Sequence, residues 1–322
     1  MIKRLLFSLF LILNSFILCA QISHDTIQPP KETFAFVERQ NQTLFLDKYE
    51  PTNKLYDKNP CVIFVFGGGF MTGARDQSYY FPYYRFLMEN GYAVIAIDYR
   101  LGFKNATFGD KKPGVMDFVN LFEQVIHIAV EDLFAATNYI IAHADEWNID
   151  TSRIVTSGSS AGAITVLQGE YAISSKQEMA KILPSHFNYA GVIGFAGAVL
   201  SRDGKLKWSE NTPPIQLFHG NADENVPFGK IQVFKTGFFG SEEIAKRLDK
   251  YGLPYSFIVE ENTDHQVAIT PMYDRQGEIL SFLDNYVIKK RKLQSTAVMT
   301  PLDKPNVKKK FGIIGYVKAN FK

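Results

Sequence analysis

The chain has 322 residues, with 35 Lys+Arg against 33 Asp+Glu for a formal charge of +2, and it is 46% hydrophobic and 21% charged. These are ordinary globular values and exclude a disordered, collagen-like or multi-span membrane chain. The near-neutral total is uneven: residues 291–322 hold eight basic side chains and one acidic, while residues 21–290 carry 25 basic and 32 acidic groups. A body this acidic argues against a nucleic-acid binder, which needs a basic face.

The first element in chain order is an address label. Met1-Ile2-Lys3-Arg4 is a short basic start, the apolar run Leu5 to Cys19 follows, and Ala20 precedes polar Gln21. That order is the pattern of a secretory signal peptide over residues 1–20, cleaved after Ala20, so export to the periplasm or the outside is expected. A retained membrane anchor is the rival reading. Asn14 and Ser15 interrupt the run, which falls short of the roughly 20 apolar residues of a span, so no stable membrane span is expected after cleavage. Lipidation of Cys19 is disfavoured by the large Leu18 before it. Without Cys19, Cys61 is the one remaining cysteine. A single thiol closes no intramolecular disulfide and builds no cysteine zinc site.

From residue 43 onward, short apolar runs alternate with helix-length amphipathic stretches. Strands are expected at Thr43–Tyr49, Cys61–Phe66, Ala93–Asp98, Ile154–Ser157, Gly191–Phe195, Ile215–Phe218 and Tyr255–Glu260. Most are continuous apolar runs without alternation, the mark of strands buried on both faces of a mainly parallel sheet. Helices are expected at Tyr79–Asn90, Val130–Glu146, Ala161–Tyr171, Ser241–Tyr251 and Tyr273–Val287. The alternation predicts a doubly wound α/β sheet with helices on both faces, in one domain over 21–290, followed by a basic extension over 291–322. The stretches Gly102–Val119 and Phe228–Gly240 read as long loops, either pocket walls or plain surface connections. In the extension, Phe311–Val317 could add an edge strand. Its lysines are either a solvated tail or a contact for an anionic surface.

Four motifs carry chemistry. Val65-Phe66-Gly67-Gly68-Gly69-Phe70 ends a buried strand with three glycines, whose bare N–H groups can form an oxyanion hole. Neither a dinucleotide spacing, which wants glycine at Thr72, nor a Gly-Lys-Ser/Thr ending is present. Ile154 to Gly162 reads strand, Gly158-Ser159-Ser160-Ala161-Gly162, then helix. This Gly-x-Ser-x-Gly pattern places Ser160 at a tight strand-to-helix turn, with the Ala161 N–H beside it; Ser157 and Ser159 read as ordinary turn residues. Leu217-Phe218-His219-Gly220-Asn221-Ala222-Asp223 runs a strand into a turn with an acid. Asn262-Thr263-Asp264-His265 follows the last core strand. The order Ser160, Asp223, His265 is that of a nucleophile, its orienting acid and its base. Glu224 and Asp264 are fallback acids, and His219 reads as a residue that orders the turn before Asp223. Activity is expected to fall below roughly pH 6.5, where a free histidine is protonated.

Together these residues resemble the α/β-hydrolase superfamily, in particular carboxylesterases of the hormone-sensitive-lipase and feruloyl/acetyl-xylan-esterase kind. The resemblance runs from about Gln42 to Val287, through FGGGF, Asp98-Tyr99-Arg100-Leu101, EDLFAATNYI, Ile149 to Ile154, GSSAG, HGNAD and the late histidine. It implies Ser160 as nucleophile, Asp223 as acid, His265 as base, and Gly68, Gly69 and the Ala161 N–H as oxyanion donors. Asp132 is implied as structural, pairing with Arg100. Phe66 stands where many relatives carry a histidine, and Leu200–Pro213 is too short for a large cap, so a small or absent cap is expected. The expectation is an exported serine esterase working through an acyl-enzyme without metal or cofactor, on short-acyl or polysaccharide-linked acetyl or feruloyl esters. A serine peptidase of the same fold and a catalytically inactive binding module are the alternatives.

Overall fold

The computed structural model describes residues 27–39, 42–104, 114–307 and residue 319. The expected signal peptide, Cys19, the start at Gln21, His24 and the segment Phe311–Val317 lie outside the described residues.

The strands are β1 (Glu32–Arg39), β2 (Gln42–Tyr49), β3 (Asn59–Val65), β4 (Ala93–Ile97), β5 (Ile149–Ser159), β6 (Gly191–Phe195), β7 (Ala198–Ser201), β8 (Ile215–Gly220), β9 (Lys230–Val233), β10 (Thr236–Gly240), β11 (Tyr255–Glu260) and β12 (Gln294–Met299). The helices are α1 (Phe81–Glu89), α2 (Val115–Ala142), α3 (Ala161–Ser174), α4 (Ser241–Lys250), the single turn α5 (Pro271–Asp274) and α6 (Gln276–Phe282). Nine strands form one sheet in the order β1-β2-β4-β3-β5-β6-β8-β11-β12. β1 and β2 pair antiparallel at one edge, and β2 meets β4 antiparallel. From β4 onward every pairing is parallel. The strands in the middle, β3, β4 and β6, are buried at every residue. That is why their sequences lack alternation: both faces carry helices.

The longest helix, α2, is apolar enough over Met116–Ala142 to meet the length and composition of a membrane span. Its inner face instead lies in the core, with Ile126, Val130, Leu133, Phe134 and Ile140 fully buried. It begins in what reads as loop from sequence, because Gly114 and Asp117 form its start: the Gly114 N–H donates to Asp117 Oδ2 at 2.9 Å. Asp132 on this helix is buried and binds the Arg100 backbone N–H (2.9 Å) and Nε (2.8 Å) together with Arg39 Nε (2.9 Å). It therefore ties α2 to the ends of β4 and β1, the structural role that the resemblance implied.

Three further stretches depart from the sequence reading. Phe228–Gly240 is not a plain loop: it holds β9 and β10, a hairpin that joins β7 in a separate three-stranded antiparallel sheet. Its turn uses Phe234 at φ 53°, with neither asparagine nor glycine at the position that favours them, so no turn signal marks it. The helix expected over Tyr273–Val287 breaks at Arg275 and ends in a π-helical turn over Leu283–Ile288. Beyond it, β12 adds a ninth strand to the sheet, parallel to β11. Leu200–Pro213 holds the end of β7 and no helix, so it builds no broad cap.

Candidate active site

The carboxyl ends of the parallel strands deliver each candidate residue to one place. β5 runs straight into α3 through Ser160, whose backbone sits at φ 51°, ψ −113°. A serine in that region is strained, typically by about 1–3 kcal/mol, and persists only when its surroundings fix it. Here the Ser160 N–H donates to the Phe195 carbonyl at the end of β6 (2.9 Å), and its carbonyl accepts the Ile164 N–H (2.9 Å). Close approach makes the following glycine obligatory: a Cβ on Gly162 would lie 2.0 Å from the Val65 carbonyl oxygen. Thus α3 packs directly on the end of β3, and the serine is pushed out at the tip of the turn.

Ser160 Oγ lies 2.8 Å from His265 Nε2, and His265 Nδ1 lies 2.7 Å from Asp223 Oδ2. The carboxylate fixes the tautomer: Nδ1–H donates to Asp223, which leaves Nε2 free to accept the serine proton. Asp223 is fully buried and is held from its other oxygen by the N–H groups of Asn225 (2.8 Å) and Val226 (2.9 Å). Burial alone would raise its pKa. The charge of His265 and the hydrogen bonds from His219 and His265 outweigh that cost and hold the carboxyl well below the usual carboxylate range. Likewise burial disfavours the His265 imidazolium, yet the Asp223 charge and hydrogen bond raise its pKa above the ordinary histidine value of 6.5. The acid limit of activity therefore belongs above pH 6.5, which corrects the expectation drawn from a free histidine.

His219 is fully buried at the end of β8. Its Nε2 faces two acceptors, the Val226 carbonyl at 3.2 Å and Asp223 Oδ2 at 3.3 Å, while Nδ1 lies 2.8 Å from the Ser241 hydroxyl. Two acceptors at Nε2 require the proton there, so Nδ1 accepts from Ser241. This histidine braces the Asp223 turn, as read from the sequence. Of the fallback acids, Asp264 accepts the Gln266 N–H at 3.1 Å and Glu224 is exposed; neither replaces Asp223 at His265.

The glycine loop faces Ser160. Gly68 (φ 131°), Gly69 (φ 63°) and Phe70 (φ 60°) take three successive positive φ angles, and the Met71 and Thr72 N–H groups both close on the Gly68 carbonyl at 3.0 Å. A Cβ on Gly68 would meet the Thr72 carbonyl oxygen at 2.1 Å. Among the described residues, nothing accepts from the N–H groups of Gly68, Gly69 or Ala161, and all three residues line the same cavity as Ser160 and His265. That cavity measures about 300 Å³, with Phe70, Phe103, Phe122, Ile164 and Val226 among its walls. Phe103, Phe118 and Phe122 stack on one another within 18° of parallel. Phe238 of the hairpin meets Phe122 edge-on at 5.2 Å. Of the two stretches read as possible pocket walls, Gly102–Val119 lines the cavity through Phe103, while Phe228–Gly240 stands behind Phe122.

The arrangement can therefore generate an alkoxide at Ser160, with the proton passing to His265, and can stabilise an oxyanion with three backbone donors. Sequence reasoning missed two tyrosines that hold the loop. The Tyr80 hydroxyl accepts the Gly67 N–H at 2.9 Å, and the Tyr99 hydroxyl donates to the Phe66 carbonyl at 3.0 Å. Tyr99 stood in a quoted motif. Tyr80 carried no signal, since an aromatic in an apolar helix start reads as core. Ser157 and Ser159 are buried strand residues rather than turn residues: Ser157 Oγ meets the Tyr83 hydroxyl at 3.0 Å, and Ser159 Oγ donates to the Ala268 carbonyl at 2.9 Å.

Residues 46–199 match the family model BD-FAE. No curated protein matches the chain in sequence. Among solved structures, esterase 2 of the Planctomycetes species Thermogutta terrifontis is similar in several states. Its propionate-bound form is 22% identical, with a TM-score of 0.57, covering 84% of this chain and 97% of that one. Its butyrate-bound form is 21% identical, with a TM-score of 0.56, covering 84% and 97%. Its form phosphonylated by cyclosarin is 21% identical, with a TM-score of 0.56, covering 83% and 97%. The chain shares the α/β-hydrolase fold of these structures.

Proposed function

We propose that this α/β-hydrolase is an exported serine esterase that cleaves short-acyl or polysaccharide-linked esters through an acyl-enzyme. The observation that carries the reading is the unbroken line Ser160–His265–Asp223, at 2.8 and 2.7 Å, facing three backbone donors across one cavity. Ser160 Oγ attacks the ester carbonyl while its proton passes to His265 Nε2, and the N–H groups of Gly68, Gly69 and Ala161 hold the oxyanion. Collapse breaks the carbon–oxygen bond of the leaving alcohol, which takes the proton from His265. Water then attacks the acyl-enzyme by the same route and releases the acid.

Two features support short acyl groups. The cavity of about 300 Å³ lies at the small end of ligand sites. The similar esterase 2 was captured with propionate and butyrate. Deep burial of a longer chain would contribute about 0.8 kcal/mol per CH₂, but it needs more apolar depth than a cavity of about 300 Å³ offers among the described residues. In a panel of p-nitrophenyl acetate, butyrate and octanoate, kcat/KM should fall from butyrate to octanoate by about tenfold or more, acetylated xylan and feruloyl esters extending the panel to polymer decorations. A kcat/KM that rises steadily to octanoate would overturn the substrate reading.

Export rests on the residues 1–20 pattern. N-terminal sequencing of exported protein should read Gln21 first, and an intact Met1 or a fatty-acylated Cys19 would contradict it.

A further inference from the structure

Phe66 occupies the position before the glycines, and its side chain has no polar atom with which to support the loop. Its ring lies against Tyr99 instead (centroids 4.6 Å apart), and the loop's polar supports come from elsewhere. One of them stands at the cavity itself. Tyr80, fully buried, accepts the Gly67 N–H at 2.9 Å and lines the same cavity as Ser160 and His265. That bond pins the residue immediately before the Gly68 donor.

We propose that Tyr80 is a positioning residue for the reaction, whose hydroxyl fixes the glycine loop and so sets the aim of its oxyanion donors toward Ser160. The proposal rests on the serine-esterase reading. The physical argument is one of direction. With the Gly67 N–H committed to Tyr80, the next two N–H groups, on Gly68 and Gly69, are left to face the cavity, and their aim depends on where Gly67 is pinned. An oxyanion hole works only if its donors lie within hydrogen-bond distance of the oxygen in the transition state. A shift of about 1 Å in such groups costs on the order of 10²-fold in rate. Ground-state binding relies mainly on the apolar walls, so the loss falls on kcat.

Tyr80→Phe removes one oxygen and keeps the ring that packs on Phe64. Tyr83→Phe is the matched control, because it too deletes one buried tyrosine hydroxyl, this one bonded to Ser157 of β5 at 3.0 Å, without touching the loop. Expected for Tyr80→Phe is a loss of about 10- to 100-fold in kcat on p-nitrophenyl acetate. KM should stay within about twofold, the acid limb of the pH profile should not move, and the rate of phosphonylation by a fluorophosphonate probe should fall by a similar factor. Tyr83→Phe, of comparable melting temperature, should keep both rates within about threefold. If Tyr80→Phe does not fold, Tyr80→Met, whose flexible apolar side chain fills the place of the ring without a hydroxyl, should also lower kcat at unchanged KM. Wild-type rates in either folded variant, a loss confined to KM, or an equal loss in Tyr83→Phe would overturn the proposal. Absence of turnover by the wild type on every ester would refute the esterase reading alone, since the probe rates of the two variants still compare.

Discussion

Ser160→Ala should lower kcat on p-nitrophenyl acetate by about 10⁴- to 10⁶-fold while leaving the fold intact, and His265→Ala should do the same. The size follows from the line of contacts. Without the Ser160 oxygen no acyl-enzyme forms, and without the His265 ring 2.8 Å away nothing takes the serine proton. Since the two act on one proton transfer, their losses do not add, and the double variant should be little worse than either single one. Folding is spared because Ser160 sits at the mouth of the cavity and is held by its backbone bonds to Phe195 and Ile164, which alanine keeps. Activity measured beside a thermal melt checks both halves. A folded Ser160→Ala protein that keeps more than a few per cent of activity would contradict the assignment.

Asp223→Asn should cost about 10³- to 10⁴-fold in kcat, less than loss of the base itself. The amide can present its NH₂ to His265 Nδ1, which favours the tautomer with the proton on Nε2, where the serine proton must go. It also removes the charge that keeps the histidine pKa high. The sign of the pH effect follows from that charge. In the wild type the raised His265 pKa keeps the base protonated to a higher pH than an isolated histidine, so the acid limb of kcat/KM lies above 6.5. In Asp223→Asn burial and the weaker pull of Asp264 are what remain on the ring, and the limb should move to lower pH although the plateau falls. A plateau loss with an unmoved limb would mean that Asp223 does not act through His265.

Most of the site is legible in the sequence because its constraints are local. A serine at φ 51° between two close-packed backbones demands glycine on both sides, and that demand is written as Gly158 to Gly162. Asp223 and His265 follow apolar runs that are legible as strands because both faces of the sheet are covered. What was not legible depends on partners distant in the chain. β7 is a four-residue strand with meaning only beside β10, and β12 is a mostly exposed strand that exists by pairing with β11. α2 reaches back to Val115 because its early turns pack phenylalanines against Phe103 and Phe70 rather than because of a repeating polar face. Tyr80 belongs to the same class. Its role is a hydrogen bond to a residue thirteen positions earlier, through a side chain that otherwise reads as core.

The central claim is that Ser160, activated through His265 and Asp223, is the covalent nucleophile of the proposed esterase, and trapping that nucleophile tests it most directly. Incubation with a fluorophosphonate, followed by intact-mass and peptide mass spectrometry, should give one phosphonyl adduct per chain with loss of fluoride. The adduct should map to Ser160, should form with the same pH dependence as ester turnover, and should be absent from Ser160→Ala. An unmodified wild-type protein, or an adduct that persists in Ser160→Ala, would contradict the account.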